Sequence, residues 1–448
     1  MRLAIPIVIV QVGLMAMGTV DTIMVGHVSA TALASVALGN LFFFFAVNFG
    51  MGGLLALDPV IAQAVGAGDA PAVARGLQRG VLLAAIVTIP TSLLLIPAIP
   101  IFEALQQPAE IIPDAAGYAW ATIPGIFPFF AFIVLRQSLQ AMERLAPIVT
   151  TIVIANLMNV ALNWVLIFGN LGAPAMGPVG AALASSISRW CLVALMIILG
   201  WPVLRHHLRP LRSEALRLGP LLRMAAIGIP IGLQYSLEGG AFIVVALLMG
   251  SLGTVEMAAH QVAINLASLT FMVPLGVSSA AAVLVGQAVG RADPVSARRS
   301  AGAALLFGGG VMCVSALAFF VAPGLLARTY TTDESVIALA SLLIPIAGVF
   351  QVFDGLQVVS IGVLRGVGDT RAPMVIAAIG YWLIGVPVSA YLGLRANLGA
   401  VGLWWGLVVG LAAVSLTLLV RVATRLRREL DRLSIEDAVP PAVPPLPF

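Results

Sequence analysis

The chain is written twice. Gln63-Ala64-Val65-Gly66-Ala67-Gly68-Asp69, followed by Arg75, returns 224 positions later as Gln287-Ala288-Val289-Gly290-Arg291-Ala292-Asp293, followed by Arg299. The same shift carries Ile5-Pro6-Ile7 onto Ile229-Pro230-Ile231. Two copies imply two similar units meeting along an axis. In an apolar chain, internal repeats are a recurring mark of secondary transporters, whose substrate sites lie where the repeats meet.

Composition puts the chain in a bilayer. Of 448 residues, 60% are hydrophobic and 9% charged, with a mean hydropathy of +1.08. A soluble domain carries about 25% charged residues, so this one lacks a water-compatible surface. A spanning helix needs roughly 20 apolar residues. Apolar runs broken by Gly, Pro and Arg clusters predict spans over 3–26, 31–57, 77–101, 115–142, 146–169 and 177–201, then 221–250, 254–285, 298–322, 336–364, 372–395 and 399–423. The runs far exceed the roughly 9–11 residues of a barrel strand and do not alternate.

Six spans per copy return the chain to its starting side, so the copies are parallel and related by an axis along the membrane normal. The expected fold is therefore all-α: twelve transmembrane helices in two six-helix repeats. Residues 1–201 form an N-lobe, 202–220 an arginine-rich linker, 221–424 a C-lobe, and 425–448 a mobile, proline-rich tail. The repeat continues late in each unit, where Glu143 to Pro147 resembles Gly368 to Pro373 and Gly177 with Gly180 matches Gly399 with Gly402.

All 23 basic residues are arginine. Without lysine there is no phosphate-binding lysine of the Walker type and no Schiff-base lysine, which argues against ATP hydrolysis by this chain. No recognisable catalytic constellation is present, so an enzyme is not expected. Arg75, Arg79, Arg144, the linker arginines, Arg291, Arg298, Arg299, Arg365, Arg371 and the tail cluster fall on one side, while the opposite loops hold only Arg328 and Arg395. By the positive-inside rule both termini are cytoplasmic. Short basic loops suit anionic headgroups rather than nucleic acid. Cys191 and Cys313, both within apolar runs, read as buried small hydrophobes.

Carboxylates inside spans cost about 2.5–3.5 kcal/mol on insertion scales and suggest function. Three stand out: Asp21 late in the first span, Glu238 in the middle of the seventh and Asp354 in the middle of the tenth. The repeat shift sets Glu238 opposite Leu14 and Asp21 opposite Val245, so the acids are not symmetric copies. Arg189 reads as the only clearly intramembrane arginine, so fixed partners cannot neutralise all three. Two roles are open to each acid: structural bonding to serine, asparagine or backbone, or a load-and-release cycle with a proton or another cation. Asn156, Asn159 and Asn163 share a helical face and offer amide oxygens or interhelical glue, and Ser185, Ser186 and Ser188 are weaker candidates. Gln234, Tyr235, His260, Gln261, Asn265, Gln351 and Gln357 add polar groups to the second half, some of them expected to line a cavity. Asp58 reads as a solvated helix end, and Phe42 to Phe45 as packing or lipid-facing surface.

Several segments together resemble the multidrug and toxic compound extrusion (MATE) family, NorM-type branch. They are Val20 to His27, Asn159 to Trp164, Pro230 to Gln234 leading to Glu238, Ala259 to Asn265, Asp354 to Gln357, and Arg365 to Arg371. The similarity runs to about Arg425. It implies a V-shaped pair of lobes and export of cationic amphipathic drugs in exchange for Na⁺ or H⁺, with no cofactor beyond the coupling ion. It assigns Asp21, Asn159 and Asn163, with Ser185, to an N-lobe cation and proton site, and Glu238 with Asp354 to a C-lobe cation pair. It makes Pro6 a hinge. Gln234, Tyr235, His260, Gln261 and Gln351 are the substrate-cleft candidates. Phe350 stands where related members have a tyrosine, and Asn163 where some have aspartate. The implied protein is a multi-pass monomer of the bacterial inner membrane. The rival reading is a flippase for lipid-linked sugars of the same superfamily, whose cleft should present basic residues.

Overall fold

Long apolar runs without water to satisfy their backbone must hydrogen-bond internally, and helices do so within one segment. The computed structural model describes residues 3–435, apart from the side chain of Phe49. Among these residues, twelve helices are long and apolar enough to cross a membrane. The first six are α1 (Ala4–Gly26), α2 (Ala30–Leu55, continued past Ala56 by Leu57–Gly66), α3 (Ala70–Leu95), α4 (Ile112–Ala141), α5 (Ala146–Phe168) and α6 (Gly177–Leu208). The second six are α7 (Leu218–Leu252), α8 (Thr254–Gly290), α9 (Pro294–Val321), α10 (Glu334–Gly366), α11 (Arg371–Arg395) and α12 (Gly399–Arg427). The expected all-α, twelve-span class is correct.

The duplicated motif is a helix corner. Gly68 and Ala292 take the left-handed conformation (φ +69° and +54°) that ends a helix. Asp69 and Asp293 then cap the next helix, their side chains accepting from the amides of Ala72 (3.0 Å) and Ser296 (2.9 Å). These caps, each followed by a proline in the first turn, start α3 and α9 several residues before the expected 77 and 298.

The rest of the motif joins the two halves. A Cβ on Gly66 would collide with the Gln287 backbone, and one on Gly290 with the Gln63 carbonyl, so each glycine permits the approach of the other repeat. Gln63 Nε2 donates to the Gly366 carbonyl at the end of α10 (2.9 Å), and Gln287 Nε2 donates to the Ala141 carbonyl at the end of α4 (3.0 Å). The glutamines thus make the same bond in opposite directions. Further along, Gly52 packs directly on Gly228 and Gly232.

The second six helices gather around an apolar core that includes Phe350, Trp404 and Leu411, while the core that includes Phe43, Leu77 and Phe130 comes mostly from the first six and also takes in Met224, Val277 and Val359. Among the described residues, the side-chain hydrogen bonds between the halves lie toward the arginine-rich end: Gln63–Gly366, Gln287–Ala141, Gln140–Ser279, Asp58–Arg365, and the bonds of the chain after α12. That end is closed.

Several expectations need correction. α6 continues to Leu208, so the connection to α7 is shorter than 202–220, and it is pinned: Gln78 donates to the carbonyls of His207 and Pro210 and accepts from the Arg212 amide. The chain after Arg425 is not free at its start. α12 runs to Arg427, Arg432 pairs with Asp69 (2.9 Å), the Leu433 amide donates to Gln63 Oε1 (2.8 Å), and Ile435 is buried. The proline-rich remainder of the expected tail lies outside the described residues. Cys313 is exposed on α9 rather than buried, and Cys191 is half-buried. Pro6 sits in the first turn of an uninterrupted α1, where a missing amide breaks no helical bond, so it is no kink in this conformation.

Candidate functional site

Two polar centres lie in the spans. In the first half, Asp21 of α1 reaches between α5 and α6. Asn163 Nδ2 donates to its Oδ1 (2.5 Å) and Ser185 Oγ to its Oδ2 (2.5 Å), while Asn163 also donates to Asn159 Oδ1 (3.2 Å). The four residues expected there are thus together. Spacing on α5 explains this, because Asn159 and Asn163 are one turn apart on one buried face. Asn156 instead bonds the carbonyls of Gly13 and Ile152 and serves as interhelical glue. Arg189, one turn beyond Ser185, lies over the Phe43 ring (4.2 Å to the centroid) and near Phe129 (5.4 Å), with its charge acting on Asp21. Phe43 is therefore a partner of a cation, whereas Phe44 and Phe45 are exposed.

The second centre belongs to α7, α10 and α11. Glu238 Oε1 accepts from Gln357 Nε2 (2.9 Å) and from the Tyr381 hydroxyl (3.3 Å), which also lies 2.7 Å from Gln357 Oε1. Tyr381 was not singled out in the sequence. It sits in a stretch of α11, Ala378–Gly385, wound as π-helix, a distortion frequent at functional sites. Among the described residues, the Asp354 carboxylate makes no hydrogen bond or ion pair, and it lies close enough to Glu238 for their charges to interact. Both acids line a cavity of about 220 Å³ walled by Phe242, Ile264, Ala267, Ser268, Phe271 and Phe350. The Glu238, Asp354, Gln357 and Tyr381 side chains supply an oxygen-rich donor set suited to a proton or a hard monovalent cation. Among the described residues, no cluster of three His, Cys, Asp or Glu residues could hold a metal ion.

The five expected cleft residues do not line this cavity. Buried His260 packs on Trp404, its ring 5.6 Å away. Gln351 accepts from Thr270 (2.6 Å), Gln261 is exposed, Gln234 is buried, and Tyr235 turns toward the closed end to bond Arg365 (3.0 Å).

Tyr235 leads to a third polar group. Asp58 is not a solvated helix end: it is buried and paired across the halves with Arg365 (3.1 Å). Nor is Arg189 the sole arginine within a span, for Arg136 lies in α4 and donates to Gln11 of α1 (3.2 Å).

The MatE family model matches residues 6–165 and 230–391, one segment in each repeat. The chain belongs to the MatE family. It is 36% identical over 429 residues to the multidrug resistance protein MdtK of Edwardsiella ictaluri (strain 93-146), covering 94% of each chain. It is 37% identical over 436 residues to the probable multidrug resistance protein NorM of Rhizobium meliloti (strain 1021), covering 95% of this chain and 93% of the relative. The crystal structure of the eukaryotic MATE transporter AtDTX14 superposes with a TM-score of 0.85 at 23% identity, over 95% of this chain and 97% of that one, a likeness of fold. As a MatE protein, the chain builds its two polar centres partly from matching helices of the repeats, α1 with α5 and α7 with α11, and completes the first from α6 and the second from α10.

Proposed function

We propose that the protein is a multidrug efflux antiporter of the bacterial inner membrane, exchanging cationic amphipathic compounds for Na⁺ or H⁺ by alternating access, with both termini cytoplasmic. One observation carries the reading: Glu238 and Asp354 face an aromatic-walled cavity without an arginine among its lining residues. A flat organic cation meets there what it needs, carboxylates for charge and phenyl faces for cation–π contact. A proton or metal cation competes for the same oxygens, which is how exchange arises.

The arginine-rich end is the cytoplasmic one on this reading, and the conformation described is closed to the cytoplasm. Glu238 lies six residues beyond Gly232, and Asp354 eleven residues before Arg365, which at 1.5 Å per residue puts them about 9 and 16 Å from the seam. A cation entering from outside takes the acids and displaces the drug. The halves then open toward the cytoplasm, release the cation and reload. One charge crossing about 100 mV supplies roughly 2.3 kcal/mol, enough for a drug gradient of about fifty-fold. The relatives, multidrug resistance proteins by name, support this substrate class. The flippase alternative needs basic residues for its phosphates, and the cavity lining has none.

Expression in a drug-hypersensitive bacterium tests the class of substrate. Cells carrying the chain are expected to exclude a fluorescent lipophilic cation and to grow at several-fold higher concentrations of cationic drugs. Unchanged accumulation, together with binding of a lipid pyrophosphate by the purified protein, would replace this reading with the flippase.

A further inference from the structure

Among the described residues, Arg136 has no counter-ion in hydrogen-bond or ion-pair contact. Its guanidinium is half-buried, its Nε is buried without a partner among the described residues, and it donates to the neutral Gln11 amide. Arginine keeps its charge in proteins, and a buried charge left without an ion-pair partner is costly. The ionisable groups acting on it are Asp58, Tyr235 and Arg365. Asp58 and Arg136 belong to the same half: the Leu57–Gly66 segment packs against the second part of α4. Arg365 and Tyr235 belong to the other. In the conformation described, Asp58 is held by Arg365 across the seam, and among the described residues Arg136 bonds the Gln11 amide alone.

We propose that Asp58 is a shared anion that exchanges arginines during transport, pairing with Arg365 while the seam is closed and with Arg136 once it opens. The proposal rests on the alternating-access reading above. Opening the seam carries Arg365 away with the second half and into water, where Tyr235 stays beside it. Asp58 would then be left without its partner, and Arg136, of its own half, lies close enough for their charges to interact. Each end state thus holds one ion pair, and the separation of the halves breaks none without forming another. This gives Arg136 and Arg365 opposite effects on a single equilibrium, which a merely structural role would not.

The test uses spin labels at Ala70→Cys and Val295→Cys, exposed positions at the starts of α3 and α9 on either side of the seam, in a background with Cys191 and Cys313 replaced by serine. Double electron–electron resonance in liposomes reads the ratio of wide to narrow distances. Arg136→Gln is expected to lower that ratio about tenfold and Arg365→Gln to raise it about tenfold, the effect of losing one charge-assisted hydrogen bond from one state. Arg136→Lys should stay near wild type, and in an Asp58→Asn background, Arg136→Gln should have no further effect. That double variant carries neither buried charge and guards against misfolding of the single one. Shifts of the same sign in the two arginine variants, or an Arg136→Gln effect that survives Asp58→Asn, overturn the exchange alone. A single distance in the wild type under every gradient overturns alternating access and the exchange with it.

Discussion

Asp354→Asn reduces efflux to background while leaving expression, folding and membrane insertion unchanged. The substitution is nearly isosteric. Among the described residues, the carboxylate it replaces holds no hydrogen bond or ion pair, so no structural partner is lost. What disappears is one of the two negative charges facing the cavity, and with it a group able to load either cation or drug. Glu238→Gln has the same expected result for transport. Tyr381→Phe is milder: it keeps both acids and removes one hydroxyl that orients Glu238 and Gln357, worth about 1 kcal/mol or a several-fold loss of rate. Drug resistance measured beside membrane expression separates these cases. Retained resistance in both the Asp354 and Glu238 variants would remove them from the mechanism.

The second large effect belongs to the seam. Gly66→Val abolishes transport by preventing the closed arginine-rich end from forming. Its Cβ would meet the backbone of Gln287, which cannot swing aside as a side chain can. Each half supplies most of its own apolar core, which lets it still fold. The same spin-label pair should therefore report a predominantly wide distance, with efflux at background. Gly310→Val on α9 is the matched control, since a Cβ there meets nothing within 4 Å, and it should transport normally. A Gly66→Val protein with the wild-type distance distribution and normal efflux would show that the seam yields more easily than its geometry implies.

These two sites differ in how far they could be read from residue order. The acids were visible because a carboxylate in an apolar run stands out at any rotation of its helix. The grouping of Asn159 and Asn163 was visible too, since i and i+4 share a face. The corners were legible in part: the motif was plain as a repeat, but what its glutamines bond, the carbonyls ending α10 and α4, depends on how two helices cross. None of the five cleft candidates lines the cavity at the acids, for a related reason. A polar residue in a span faces the cavity, a neighbouring helix or the closed seam according to helix rotation, and hydropathy carries little of that rotation. Tyr235 turned to the seam and His260 to Trp404. Tyr381 escaped notice because an aromatic in a span is ordinary, and its reach to Glu238 lies in a π-wound stretch that local composition does not announce. Asp58 looked like a helix end beside water because its partner, Arg365, lies 307 positions away.

The central claim is that cation entry drives drug exit, and it is tested most directly in proteoliposomes loaded with a lipophilic cationic drug. A Na⁺ gradient and a pH gradient are imposed separately on the wild type and on Asp354→Asn. Drug movement against its own gradient is expected in the wild type under at least one of the two and under neither in the variant. The gradient that works names the coupling ion. Wild-type vesicles that move no drug under either gradient would contradict cation-coupled antiport.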